Sequence, residues 1–457
     1  DPHGDVAEKL LATVPKERTE DVIYFCPADM DYPLGLNLFE FDKDSPEQKD
    51  FLIQEAINML YKLYDPQHQG IIGPRYEHWF RNGALTIMAD PAGATFIDLP
   101  KVFTDDAYAK EKLKHVKDQT VLDFWNKEMA STSDYHKSEI LGWFVSKFGA
   151  FLSNEMMRNI IGQTKGAFNM REIMDKKKIL IVNLSKGRTG ELNSKLLGMI
   201  FVMKFQAAAM SRANVDEKDR PDFCLYVDEF QNYSTDSFAD ILSEARKYGL
   251  NLIVANQFTT QLTEEIRDAI FGNVGTIVSF RVGTADAEYL SKQFAPSFDA
   301  DDLQKIPNYN AAVRMLIGGV PTSPFSMAGL PPLGTPNKEL GDALKQLSAA
   351  KHGRPKAVVE KEIFERLNSD NSDPNEKAKP NFGRNFAADK GAGKPAAPKK
   401  PSTGSSFLDD WMQKKQTNSF KAPSSPFNKP GQPAQGQVSA AAPQQADQSQ
   451  QAPAPPP

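Results

Sequence analysis

Two adjacent acids, Asp228 and Glu229, follow a short apolar run and give the strongest chemical signal in the sequence. The stretch "FCLYVDEF" is typical of a buried β-strand that delivers carboxylates to a site. Phosphoryl transfer from a nucleotide needs one group that holds Mg²⁺ and another that orients the attacking water. We assign the metal and cofactor contact to Asp228 and the catalytic contact with water to Glu229. The alternative interpretation is a solvated strand end without chemistry.

A third polar side chain, Gln257, ends the next predicted strand, "LIVANQ". If the two strands are parallel, their carboxyl ends meet at one edge of the sheet, where ligands bind in such folds. We therefore predict a catalytic role for Gln257, either in sensing the terminal phosphate or in positioning water. Alone, it would be an ordinary polar residue of a loop.

The elements around these residues alternate between strands and helices. "KKILIVNLSKG", "FCLYVDEF", "LNLIVANQ" and "GTIVSFRVG" read as strands, each followed by a helical pattern. Continuous apolar strands alternating with helices predict an α/β fold with a mostly parallel sheet that is covered on both faces. By contrast, residues 47 to about 170 show mainly the helical period and predict an inserted all-α domain.

Composition limits the functional classes. The chain has 457 residues, 40% of them hydrophobic, and a net charge of −5. From residue 369 onward, eleven Lys and Arg outnumber seven Asp and Glu, so this tail is basic and the first 368 residues carry about −9. Any nucleic acid contact must therefore use local basic patches. No run of about 18 apolar residues occurs, which argues against a membrane span. Cys26 and Cys224 lie in apolar runs and are predicted to be buried, reduced thiols, and no His/Cys spacing predicts zinc.

A family resemblance rests on four stretches, one of which, "PNYNAAVRMLIGG", is similar to a late sheet strand of the family. "LYVDEFQNYSTDSFADILSEARKYGLNLIVANQFTTQL" resembles the Walker B to sensor region of type IV secretion and conjugative coupling proteins, the TraD/TraG-like members of the HerA–FtsK P-loop ATPases. "DPHGD" and "SFRVGTADAEYLSKQFAP" are similar to other segments of that family. The resemblance implies a RecA-like P-loop NTPase core, a homo-hexameric ring, ATP and Mg²⁺ as cofactors, and translocation of DNA, which we interpret as single-stranded.

The resemblance also implies further site residues. Arg246, eleven residues before Gln257, matches the position from which a catalytic arginine reaches the nucleotide of a neighbouring subunit, although a surface arginine is the alternative. Arg281 in "SFRVG" is the next candidate and is assigned to cofactor binding. Asp1 and His3 match the segment after the phosphate-binding helix, where they either contact nucleotide or shape the turn.

The phosphate-binding loop of this family, G-x-x-x-x-G-K-[ST], does not occur in the sequence. "SKGRTGELNSK" follows a strand but lacks the G-K-[ST] ending, and we interpret it as an ordinary βα turn. "KGAGKPAAP" has no strand before it. Two explanations remain: the loop lies upstream of Asp1, so that this chain is N-terminally truncated, or the chain is a ring member that does not bind nucleotide.

The predicted domain organisation has five parts. Residues 1–42 are the incomplete N-terminal part of the ATPase core, 43–174 the inserted helical domain, and 175–333 the RecA-like core with Walker B and sensor. Residues 334–368 form a helical extension, and 369–457 a Pro/Ala/Gln-rich tail that is predicted to be disordered. Within the tail, "SSFLDDWMQKK" (405–415) is either a docking motif or a chance apolar cluster.

The leading functional prediction is an ATP-driven DNA translocase that couples substrates to a type IV secretion or conjugation system. Secretion-system or relaxosome proteins would bind the helical domain and the tail. We expect a cytoplasmic protein, at the cytoplasmic face of the inner membrane if a segment upstream of Asp1 anchors it. The alternatives are a HerA-like DNA-repair helicase and a non-enzymatic recruitment platform with a degenerate ATPase fold.

Overall fold

The structure is a computed structural model that describes residues 1–42, 48–235, 238–332 and 334–367. All of these belong to one compact unit, Asp1–Lys377. The predicted tail (369–457) and its motif (405–415) lie outside the described residues. The boundaries of the other predicted domains stay predictions, and the bounds of the elements within them follow.

Helices dominate the described chain. The α-helices are α1 (Asp5–Leu11), α2 (Gln48–Tyr64), α3 (Pro74–Met88), α4 (Asp98–Thr104), α5 (Asp106–Leu113), α6 (Gln119–Asp123), α7 (Asp134–Leu152), α8 (Glu155–Ile161), α9 (Met170–Asp175), α10 (Lys186–Thr189), α11 (Glu191–Met210), α12 (Phe238–Glu244), α13 (Glu264–Asn273), α14 (Thr284–Phe294), α15 (Ala300–Gln304), α16 (Lys338–His352) and α17 (Lys356–Leu367). The strands are β1 (Val22–Phe25), β2 (Ile179–Val182), β3 (Phe223–Val227), β4 (Leu250–Val254), β5 (Ile277–Ser279), β6 (Asn310–Arg314), β7 (Leu316–Ile317), β8 (Val320–Pro321) and β9 (Phe325–Ala328).

The strands with the strongest apolar runs pair in parallel, as predicted. β1 pairs with β2, and β3 pairs with β4, in both cases with parallel register. β5, β6 and β9 form an antiparallel sheet, and β7 with β8 forms a hairpin. Among the described residues, β2 and β3 are not paired with each other. They instead line a shared cavity of about 610 Å³ whose floor includes residues of α11.

One face of the β3–β4 pair is open, which corrects the expectation of a sheet covered on both sides. Tyr226 is 73% exposed and Ile253 on the neighbouring strand 40% exposed. Side chains alternate along a strand, so Cys224 lies on this same face and is exposed. The prediction of a buried thiol is therefore wrong for Cys224, and Cys26 is only partly buried. An apolar run predicts a strand but does not say which of its faces is covered.

Helices α2 to α9 fill the interval between β1 and β2 and pack around aromatic side chains. Phe80, Phe144 and Phe148 are fully buried, and their rings lie within 5.3–6.4 Å of one another. Phe96 packs beside them, with its ring 4.7 Å from that of Phe148 and tilted against it. Aromatic rings bury much apolar area each and dominate the energetics of such a core. This block is helical, as its sequence periodicity predicts.

The last two helices are attached by hydrogen bonds to β1 and to the helical block. On α16, the Ser348 hydroxyl accepts a hydrogen bond from the Tyr24 amide at 2.8 Å and donates to the Tyr24 carbonyl at 3.2 Å. On α17, Arg366 donates to the Asp98 carboxylate at 2.9 Å and to the Gly162 carbonyl at 2.7 Å. The first pair closes the outer edge of β1, and the second ties α17 to the helical block.

The segment Glu191–Asn214, which contains α11, is long and apolar enough to cross a membrane by length and composition. Of its most apolar window, 72% is buried inside the protein. The same helix carries Phe201 and Phe205 into the core and has apolar residues around its whole circumference, as expected of a helix buried on all sides.

Candidate functional site

The site is built on the carboxyl ends of β3 and β4. The register pairs Phe223 with Leu250 and Val227 with Val254, so both strands end at the same level. The pairing continues beyond the strands: the Ala255 amide donates to the Val227 carbonyl, and the Phe230 amide donates to the Ala255 carbonyl, each at 3.0 Å. The segments that carry Asp228, Glu229 and Gln257 therefore leave the sheet side by side, as the sequence predicts.

A glycine turn sets the start of β4. The helical segment after α12 ends at Gly249, whose φ of 68° lies in the left-handed region that favours glycine. The chain reverses there, and the Phe223 amide donates to the Gly249 carbonyl at 2.9 Å. This bond fixes the register of β4 against β3 and so the level at which their polar ends meet.

Glu229 has a constrained backbone. Its φ is 50°, in the left-handed region, which is uncommon for a residue other than glycine. The Glu229 amide donates to the Asp228 carboxylate at 3.0 Å, and the Asn232 side chain donates to the Glu229 carbonyl at 3.0 Å. Backbone strain of this kind costs on the order of 1–3 kcal/mol and concentrates at functional sites.

The side chain of Glu229 is only 9% exposed and belongs to a series of hydrogen bonds. The Gln231 amide nitrogen donates to the Glu229 carboxylate at 2.5 Å. The Asn256 amide nitrogen in turn donates to the Gln231 amide oxygen at 2.6 Å. Gln231 and Asn256 were not singled out from the sequence, although both stand next to predicted residues, in "DEFQN" and "VANQ".

Gln257 follows Asn256 but points elsewhere. It is exposed and lines a cavity of about 500 Å³ together with Asn256, Phe258 and Arg281. Arg281 is also exposed and donates to the side chain of Asn308 at 3.0 Å. The structure thus brings Gln257 and Arg281 to one cavity, and Asn256 connects that cavity to the hydrogen-bonded series that ends on Glu229.

Asp228 and Asp1 line the other cavity, between β2 and β3. Both carboxylate oxygens of Asp1 are engaged: one accepts from the His3 amide at 2.9 Å, the other from the Val6 and Ala7 amides at 3.0 Å. Asp1 therefore caps the first turn of α1. The imidazole of His3 is exposed. These contacts explain how the segment turns, and nucleotide contact by either residue stays a prediction.

Tyr233 packs beside the acids. Burial raises the pKa of the Tyr233 hydroxyl to about 12, and the negative charges of Asp228 and Glu229 act in the same direction. Its ring lies against Gly198 of α11, where a Cβ atom would come within 2.2 Å of the ring. The loop after β3 is therefore seated directly on α11, and only glycine allows this approach.

Arg246 lies apart from the acids. It is exposed, in the helical turn Ala245–Tyr248 that precedes β4, whereas Asp228 and Glu229 follow the ends of β3. Five residues of β4 separate the two positions, and a strand rises about 3.3 Å per residue. Within one subunit, Arg246 thus belongs to the opposite edge of the sheet. Contact of Arg246 with the nucleotide of a neighbouring subunit stays a prediction.

The turn after β2 contacts the same loop. "SKGRTG" forms the short helix α10 and then Gly190, with a φ of 86°, before α11 begins. The Lys186 ammonium donates to the Asn232 side chain at 3.3 Å. The segment is a βα turn, the conformation predicted from the sequence.

Asp228 supplies the carboxylate of a candidate Mg²⁺ site. Asp228 is half-buried, and one of its oxygens accepts the Glu229 amide, which leaves the other for a metal-bound water. Across residues 1–42, 48–235, 238–332 and 334–367, no group of three or more His, Cys, Asp or Glu side chains is suited to a metal ion. One carboxylate with further ligands from water and phosphate is the usual way proteins hold Mg²⁺. The residues fit that arrangement.

Comparisons with known proteins identify both a segment and a fold. Residues 222–297 match the family model described as the TraM recognition site of TraD and TraG. A search of curated protein sequences found no match. The solved structure of the plasmid coupling protein TrwB in complex with ADP and Mg²⁺ is similar at a TM-score of 0.50 and 14% identity, over 74% of this chain and 79% of that chain.

Two further solved structures are similar at lower scores. An unbound form of the bacterial conjugative coupling protein TrwBdeltaN70 gives a TM-score of 0.49 at 15% identity, over 72% of this chain and 76% of that chain. VirB4 of Thermoanaerobacter pseudethanolicus gives 0.42 at 13% identity, over 71% and 79%. The predicted α/β RecA-like fold is confirmed by the similarity to the ADP complex.

Proposed function

Because the chain is TraD/TraG-like through residues 222–297 and has the fold of a plasmid coupling protein, we propose that it is the ATP-hydrolysing coupling protein of a conjugation or type IV secretion system. The observation that carries the proposal is the position of Asp228 and Glu229. Both lie inside the matched segment, at the carboxyl end of a strand paired in parallel with its neighbour. A strained, largely buried glutamate at such an edge is costly to maintain without a function.

Asp228 and Glu229 would have different roles in phosphoryl transfer. ATP would supply the transferred phosphoryl group, and Mg²⁺ would neutralise the negative charge of the phosphates. Asp228, with a free carboxylate oxygen, would hold a water of the metal's shell. Glu229 would orient the attacking water through the carboxylate oxygen that Gln231 does not occupy. Gln257 and Arg281 are proposed to sense the terminal phosphate, and both line the 500 Å³ cavity.

Arg246 is proposed to act between subunits. Its exposed guanidinium, at the opposite edge from the acids of its own subunit, is available to a neighbour in a ring. A guanidinium that reaches the transferred phosphoryl neutralises the charge that develops there. This role requires a homo-oligomer, and we propose a hexamer. Asp1 and His3 complete the proposed set of nucleotide contacts.

The moved substrate is proposed to be DNA, single-stranded and threaded through the ring, with phosphates contacted by basic loops. The matched family is described by recognition of TraM, and we propose a relaxosome protein of that kind as the partner of residues 222–297. For this chain itself we propose a cytoplasmic location, at the cytoplasmic face of the inner membrane.

The test is ATP turnover by the intact protein with and without single-stranded DNA. We expect DNA to stimulate turnover and Glu229→Gln to abolish it. The matched control is Glu265→Gln, an exposed acid of α13, which should keep both basal and stimulated rates. If single-stranded DNA does not change the rate of ATP turnover, the proposed translocase activity is wrong.

A recruitment platform is the second candidate, favoured by the description of residues 222–297 as a recognition site. In that case the fold would present a binding surface, and the acids would have no catalytic task. Co-purification of the partner and transfer of substrate would then be unchanged by Glu229→Gln. Loss of transfer with partner binding intact would instead favour the motor.

A further inference from the structure

We propose that Gln231 and Asn256 are positioning residues that hold the Glu229 carboxylate in the orientation needed for water activation. This inference rests on the proposed ATP hydrolysis and adds two residues to it. The three side chains come from two segments: Glu229 and Gln231 follow β3, and Asn256 follows β4. Their hydrogen bonds of 2.5 Å and 2.6 Å form one connected series, here called the amide relay.

The direction of the amide relay follows from the carboxylate. An ionised glutamate only accepts hydrogen bonds, so Gln231 must present its nitrogen to Glu229. The oxygen of the Gln231 amide then faces Asn256, which must present its own nitrogen. Asn256 thus prevents the Gln231 amide from turning over, because the reversed amide would set oxygen against oxygen at Glu229 and nitrogen against nitrogen at Asn256.

The backbone around Glu229 is held independently of the amide relay. The Glu229 amide and carbonyl are engaged by Asp228 and Asn232, respectively. The peptide therefore stays in place when Gln231 or Asn256 is replaced, and what changes is the direction of the carboxylate. A carboxylate has two oxygens, and the relay uses one of them, so the other remains free to accept from a water.

Through Asn256, the amide relay also reaches a cavity. It lines the 500 Å³ cavity with Gln257 and Arg281. A ligand in that cavity that takes a hydrogen bond from Asn256 would release the Gln231 amide, and with it the fixed direction of Glu229. The relay therefore links occupancy at the end of β4 to the readiness of the carboxylate at the end of β3.

The experiment measures kcat, KM and ATP affinity for Gln231→Met, Asn256→Leu and the double variant of the intact protein. Both substitutions keep side-chain length and remove the amide. Misplacement of a catalytic group by about 1 Å costs up to roughly 100-fold in rate, so we expect kcat to fall roughly 10- to 100-fold. KM and affinity should stay within about twofold, and the double variant should be no slower than Gln231→Met, because both changes break one series.

The control is Asn251→Leu, the same substitution at an exposed position of β4, which should behave as the unsubstituted protein. If Glu229→Gln abolishes turnover while Gln231→Met leaves kcat unchanged, the amide relay is overturned and the proposed function stands. Multiplied losses in the double variant would also overturn it, because independent effects are not a relay. An unsubstituted protein without turnover overturns the proposed function and the relay together.

Discussion

Glu229 adopts a left-handed backbone conformation, with a φ of 50°, directly after Asp228, whose carboxylate accepts the Glu229 amide at 3.0 Å. The carboxylate of one acid thus helps to hold the strained backbone of the other. The arrangement costs stability and gains a fixed direction for two adjacent charges. Stability and activity should therefore respond in opposite directions when Glu229 is replaced.

Glu229→Gly should abolish ATP turnover without destabilising the fold. Glycine adopts positive φ without a steric penalty, so relief of strain offsets the lost side-chain contacts. We expect the free energy of unfolding to equal that of the unsubstituted protein or exceed it by about 1 kcal/mol. Denaturant titration measures it. Glu288→Gly, at an exposed position in the interior of α14, is the control and should lose about 1 kcal/mol. A large loss at position 229 would show that the side chain, and not function, explains the conformation.

Gly198→Ala should destabilise the protein and displace the loop that carries the acids. The added Cβ would lie 2.2 Å from the Tyr233 ring, far inside van der Waals contact. Overpacking of this kind costs about 1–3 kcal/mol. Gly272→Ala is the matched control, because Gly272 also lies in a helix but has open space around its Cβ position. It should be neutral or slightly stabilising, as alanine favours helices. The measurement is the midpoint of thermal unfolding of each variant. Equal midpoints for Gly198→Ala and Gly272→Ala would contradict the described packing of Tyr233 on α11.

Ser348→Ala should weaken the attachment of α16 to β1. Ser348 is 1% exposed, and its hydroxyl serves both the amide and the carbonyl of Tyr24. Removing it leaves two buried backbone groups without their partner, at a cost of about 1–3 kcal/mol. Hydrogen exchange at the Tyr24 amide should accelerate as well. Ser291→Ala on α14, at an exposed hydroxyl, is expected to change neither quantity.

Lys204→Met should stabilise the protein at neutral pH and lose this advantage in alkali. Burial lowers the pKa of the Lys204 ammonium from 10.5 to about 8, while the charge of Glu40 acts in the other direction. Between pH 8 and 10.5 the unfolded chain keeps a proton that the folded chain has lost, so the free energy of unfolding rises with pH. Below pH 8 the Lys204 ammonium is charged in the folded and in the unfolded chain. The folded protein then bears the full cost of burying the charge, on the order of 1 kcal/mol after solvent screening.

The measurement for Lys204 is the difference in free energy of unfolding between Lys204→Met and the unsubstituted protein at pH 7 and pH 10. The difference should favour the variant at pH 7 and shrink at pH 10. Lys195→Met, on the same helix, removes an ion pair of 2.8 Å with Glu191 and should be slightly destabilising at pH 7. A difference for Lys204→Met that grows with pH would contradict the assigned direction.

The sequence predicts the parts of this molecule that depend on local patterns. Alternating apolar strands and helices indicate the parallel pairs, and the acids after "FCLYV" indicate the edge where the site lies. The exposure of Cys224 was not predictable, because it depends on which elements cover a face of the sheet. Gln231 and Asn256 were missed for a similar reason: their role follows from the relative position of two loops, which no spacing in the sequence encodes.

The most direct test of the central claim is phosphate release from ATP by the intact protein carrying Glu229→Gln, measured beside its affinity for ATP. Glutamine keeps the size of the side chain and removes the carboxylate that would activate water. We predict affinity within a few-fold of the unsubstituted protein and loss of phosphate release. Phosphate release at the unsubstituted rate would contradict the account, because the strained acid at the end of β3 would then have no part in hydrolysis.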